Sequence, residues 1–140
     1  MDPKVELENG VKLLKNIMNE AGFKFLFECE GISSGGKFAS GSFILGDKKL
    51  ELSFRYSLGC VEYRVLEHNI SHKDYMEAIG KKKEAQYPGF SNNSTEAFEH
   101  LFSDISKHGE IFLWGTNNQF IELIKDFKSK PKKSGFSALT

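Results

Sequence analysis

The stretch from Phe38 to Val65 constrains the fold more than any other part of the chain. Its apolar residues fall on alternate positions: Phe43 and Leu45, then Leu50, Leu52, Phe54 and Tyr56, then Val61, Tyr63 and Val65. A period of two places such residues on one face of a strand, so one side of the resulting sheet is apolar and the other wet. Gly46-Asp47 and Leu58-Gly59 interrupt the alternation at hairpin spacing. The pattern predicts a β-meander with strands at about 38–45, 49–57 and 60–66.

The flanking segments change period. Leu7, Val11, Leu14, Met18 and Ala21 make one helical stripe, which predicts a helix over 3–21 that starts at Pro3 and stops at Gly22. Phe23, Phe25, Phe27 and Cys29 then alternate as a first strand, and Ser33-Ser34-Gly35-Gly36 is a turn. Beyond the meander, Ser71 with Asp74 has the form of a helix cap ahead of Tyr75, Met76 and Ile79, with a stop at Gly80. Phe98, Leu101, Phe102 and Ile105 predict a second amphipathic helix, capped within Asn92–Thr95 and ended by His108-Gly109. Ile111-Phe112-Leu113-Trp114 reads as a brief fifth strand. Phe120, Leu123, Ile124 and Phe127 mark a last helix, capped by Thr116 or Asn117.

Helices segregated from strands give an α+β class: an antiparallel meander of four to five strands with helices packed on its apolar face. A chain of 140 residues forms one domain that buries roughly two-thirds of its unfolded surface. The expected domain is 1–128, followed by a flexible tail, 129–140. Thirteen Phe against one Trp imply a core of rigid rings, with Leu14, Phe43, Leu52, Phe54, Val61, Tyr63, Phe98, Phe102 and Phe127 inside it.

Charge narrows the function classes. Nineteen acidic and nineteen basic side chains cancel. A nucleic-acid binder needs a basic excess to displace counterions, and an electrostatic membrane anchor needs one too. Zero net charge leaves self-association unopposed, so monomer and homodimer both fit. No apolar run reaches the length of a membrane span and the N-terminus lacks a signal sequence, so a cytoplasmic protein is expected.

Catalytic and metal-binding patterns are weak. Cys29 and Cys60 have neither metal nor redox spacing, and their place in strands predicts buried, reduced thiols. His68 and His72 are four apart, but the Ser71 cap starts a helix between them, so no metal site is expected there. Ser33–Gly36 joins strands rather than opening a helix, and no phosphate-loop pattern occurs. The residues therefore suggest no catalytic group, metal or cofactor.

Two features point to a binding surface instead. If Leu58-Gly59 closes a two-residue turn, Ser57 faces Cys60, Arg55 faces Glu62 and Ser53 faces Arg64 on the wet face, with Glu51 one step further along. Such pairs line a groove for a partner, or simply stabilise a solvated face. Tyr87-Pro88-Gly89-Phe90-Ser91 sets two aromatics around a turn, which either displays the rings or pins the loop to the core. The candidate partner-binding residues are Glu51, Arg55, Glu62, Arg64, Tyr87 and Phe90.

FASGSFILGDKKLELSFRYSLGCVEYRV, followed by SHKDYMEAIG and YPGFS, resembles a group of small bacterial cytosolic proteins of the immunity type, over residues 35 to about 105. The resemblance implies a protein-interaction module that neutralises a cognate toxin and transfers no catalytic residue. The alternative is a small-molecule-binding protein or enzyme with a pocket between sheet and helices.

Overall fold

A computed structural model describes residues 2–33, 36–87 and 94–130. The chain runs α1 (Pro3–Glu20), β1 (Lys24–Ser33), β2 (Gly36–Leu45), β3 (Lys48–Phe54), β4 (Leu58–Val65), β5 (His68–Ser71), α2 (His72–Ala78), a 3-10 turn (Lys82–Glu84), α3 (Ser94–His108), α4 (Glu110–Leu113) and α5 (Asn117–Ser129). The strands form one antiparallel sheet in the order β1-β2-β3-β4-β5, the expected meander. No helix among the described residues is long and apolar enough to cross a membrane. Residues 131–140, which make up most of the expected tail, lie outside the described residues.

Alternation sorts the strand residues as their period requires. Phe43, Leu50, Leu52, Phe54, Val61, Tyr63, Val65 and Ile70 are buried under the helices. Leu7, Val11, Leu14 and Met18 of α1 and Phe98, Leu101 and Ile105 of α3 meet them. Gly10 lets the two helices close: a Cβ there would overlap the Phe98 ring. Tyr63 is the centre of an aromatic cluster, 4.8 Å from Tyr75, 4.9 Å from Phe112 and 6.1 Å from Phe120 between ring centroids. Each fully buried ring or aliphatic side chain contributes roughly 1.5–3 kcal/mol through removal from water.

Several expectations are corrected. Residues 111–114 are not a strand. Residues 110–113 form the short helix α4, whose Phe112 and Leu113 are buried and whose C-terminal end is capped by a lysine from the sheet. Lys48, buried on the core side of β3, donates from Nζ to Phe112 O (2.8 Å) and Gly115 O (2.7 Å). Desolvation pushes the pKa of its amine down. The fifth strand is β5, and its Ile70 pairs with Tyr63. Phe102 is exposed on the outer side of α3 rather than in the core, and Phe127 only packs against the core edge. Cys29 and Cys60 are free thiols and both are exposed, because they lie on the outer face of the sheet or beside an irregularity in it.

Candidate functional site: the open face of the sheet

Every buried apolar strand residue faces the helices, so the opposite face is uncovered. Successive rows run across the strands there. Lys24, Ile44, Lys49, Arg64 and Asn69 stand opposite one another in the first row. Leu26, Ser42, Glu51, Glu62 and Ser71 form the second. Cys29, Ser40 and Ser53 form the third, and Phe38 faces Gly31 in the fourth.

The register differs from the one that a Leu58-Gly59 turn requires. Leu58 is a buried member of β4 opposite Phe54, and the turn is made by residues 55–57, where Arg55 N donates to Ser57 O (3.2 Å). Burying Leu58 rather than exposing it in a turn shifts every later pairing. Glu62 therefore faces Glu51, Arg64 faces Lys49, and the Arg55–Glu62, Ser53–Arg64 and Ser57–Cys60 pairs do not form. Ser53 instead stands opposite the two-residue irregularity at Gly59 and Cys60.

Charge is satisfied diagonally. Arg64 Nε reaches Glu51 Oε1 at 3.5 Å, Lys49 Nζ reaches Glu28 Oε2 at 3.1 Å, and Asn69 Nδ2 donates to Glu62 Oε2 at 2.6 Å. Glu28 reaches over the second row because β1 shifts register between Phe27 and Cys29, and Ser42 Oγ donates to its Oε1 at 2.6 Å. Partial burial alone would raise the Glu28 carboxyl, but the hydrogen bonds from Ser42 and Lys49 and the lysine charge hold its pKa below the ordinary value. These half-exposed pairs each contribute only about 0.2–1 kcal/mol to stability.

At the far end of the face, toward the β1–β2 and β3–β4 turns, the character changes. The Arg55 guanidinium stands over the Phe38 ring, 5.8 Å from its centroid. Tyr56, expected in the apolar row, is 69% exposed, whereas the exposed Ile32 pairs with Lys37 and belongs to the helix-side face. A shallow cleft lined by Asp2, Pro3, Glu30, Gly31, Ile32, Lys37 and Phe38 lies between this end of the sheet and the start of α1.

Of the sequence candidates, Glu51, Glu62 and Arg64 lie together in the two charged rows, and Arg55 lies at the far end. Tyr87 is elsewhere. It is buried, and its hydroxyl donates to Leu58 O (2.7 Å) and Gly59 O (2.6 Å), so it pins its segment to the core side of β4. Phe90 lies outside the described residues. Lys49, Glu28, Phe38 and Tyr56 were missed. Odd positions of β3 carry Lys49 as plainly as Glu51, whereas Glu28 needed the β1 irregularity to be known.

A second polar constellation is internal. Tyr63 Oη lies 2.7 Å from His72 Nδ1, and His72 Nε2 lies 2.9 Å from Asp104 Oδ2, with all three residues buried. Asp104 also accepts from Gln86 N (2.8 Å) and Tyr87 N (2.9 Å). Burial alone would raise the Asp104 carboxyl, but the bonds from His72, Tyr87 and Gln86 outweigh it and lower its pKa. Burial pushes the Tyr63 phenol well up, so its hydroxyl stays protonated and shares a hydrogen bond with Nδ1, while Nε2–H donates to the Asp104 carboxylate. The ring of His72 thus ties β4 and α2 to α3, whereas His68 Nε2 lies 3.7 Å from Glu67. Among the described residues, no group of three or more His, Cys, Asp or Glu side chains is placed to hold a metal.

No protein-family model matches this chain, and neither a curated protein nor a solved structure matches it.

Proposed function

We propose that the chain is a non-catalytic protein-binding module, an immunity-type inhibitor that covers a cognate toxin with the open face of its sheet. The observation that carries this reading is the far end of that face. Arg55 over the Phe38 ring, with Tyr56 more than half exposed, presents an arginine and aromatic rings beside ordered charge. Protein interfaces concentrate their energy in Arg, Tyr and Trp anchors of this kind. The richest polar cluster, Tyr63–His72–Asp104, is closed to solvent and every ring nitrogen and carboxylate oxygen in it has a protein partner, which favours a structural use for it.

The test is calorimetric titration of the chain with the protein encoded beside its gene. Arg55→Ala and Tyr56→Ala are expected to weaken binding at least tenfold while leaving the melting temperature unchanged. Absence of binding by any neighbouring gene product would remove the inhibitor reading. The cleft beside Phe38 favours a ligand-binding protein as the second reading, and a rise in melting temperature with small molecules alone would support that one.

A further inference from the structure

The charged rows have an order that the anchor residues at the far end do not explain. Lys49 stands opposite Arg64, and Glu51 opposite Glu62, so a basic pair runs beside an acidic pair on the same two strands. Like charges directly opposite one another are unfavourable within a sheet. Arg64 leans to Glu51 and Lys49 to Glu28, but Glu62 has only the amide of Asn69 and no cation among the described residues. The side chains of Lys49, Arg64 and Glu51 remain 33%, 38% and 32% exposed, within reach of an incoming surface.

We infer that these rows are a self-complementary surface and that a second copy of the chain docks on them. A two-fold axis running across the strands, between the basic and the acidic row, turns one face onto the other with the rows exchanged. It sets Lys49 of one copy over Glu51 of the other and Arg64 over Glu62, and the symmetry makes each pair twice. The cation that Glu62 lacks within its own chain is then supplied by the second copy. An axis running along the strands would set Lys49 over Arg64 and Glu51 over Glu62, so the charge pattern selects one arrangement and opposes the other. A net charge of zero adds no long-range repulsion between copies. The overlap centres on the first two rows and leaves Phe38, Arg55 and Tyr56 outside it, so this inference stands or falls separately from the inhibitor reading.

Sedimentation equilibrium of the full chain at low and high salt tests it. A dimer that weakens as salt rises is expected, because exposed charge pairs are screened. Lys49→Glu with Arg64→Glu, and separately Glu51→Lys with Glu62→Lys, should each give monomers, and an equimolar mixture of the two variants should recover the dimer. Glu62→Lys alone, which breaks no ion pair within the chain, should weaken association at least tenfold even if a double variant folds poorly. The inference is overturned if the wild type stays monomeric at low salt and the highest attainable concentration. It is equally overturned by salt-insensitive association, by an unaffected Glu62→Lys variant, or by folded double variants that fail to associate when mixed.

Discussion

A glycine inside a helix ordinarily costs about 0.5–1 kcal/mol relative to alanine, through backbone entropy. At Gly10 the sign should reverse. The Phe98 ring of α3 occupies the space a Cβ would need, and Phe98 in turn stacks on Phe54 of the sheet at 6.3 Å. Gly10→Ala must push α1 and α3 apart or tilt that stack, and overpacking of this kind costs about 1–3 kcal/mol. Urea denaturation of the variant checks it, and a gain in stability would show that α1 is not seated as described. At this scale the sequence was readable where one periodicity decides a side chain, as for Phe43, Phe54 and Tyr63. It was not readable at Gly10, where a neighbour 88 positions away decides.

Among the elements, caps and periods were legible and pairings between elements were not. Ser71 caps α2 by accepting from Asp74 N at 3.1 Å, as its spacing suggests. For α5 the two candidate caps resolve in favour of Thr116, which accepts from Gln119 N (3.1 Å) while Gln119 Oε1 accepts from Thr116 N (2.8 Å). Thr116→Ala should therefore cost about 1 kcal/mol, and Asn117→Ala a few tenths at most. Amide exchange in the first turn of α5 distinguishes the two, and equal effects would contradict the capping box. The register of β4 escaped because it depends on whether Leu58 is buried, and its burial is fixed by helices and by Tyr87 far along the chain. The 111–114 run escaped for a related reason: four apolar residues have no period, and the lysine that caps them as a helix lies in β3.

Across the whole molecule, the buried Tyr63–His72–Asp104 chain joins sheet and helices, and no local pattern could have revealed it, since His72 and Asp104 are 32 residues apart. Asp104 has its carboxyl pKa lowered in the fold. A carboxylate of this kind contributes stability that is present above the unfolded value of about 3.9 and lost as pH falls through the lower folded value. Asp104→Asn should cost about 1.5–3 kcal/mol near neutral pH, as expected for hydrogen bonds to a charged acceptor. The gap between wild type and variant should narrow as pH drops below about 4. Denaturation curves at neutral and acid pH check both signs, and a gap that widens in acid would refute the ionised state of Asp104.

Lys48 carries one further consequence, in time rather than in energy. Its amine is satisfied by carbonyls 64 and 67 residues later in the chain. At about 5–20 residues per second, a ribosome needs several seconds to make that stretch. Throughout that interval the meander can pair its strands, but the lysine at its core-side corner must stay hydrated, and the corner stays open. Completion of this corner is thereby tied to arrival of the α4–α5 segment, so the nascent chain is vulnerable there until α4 and the residues just after it are made.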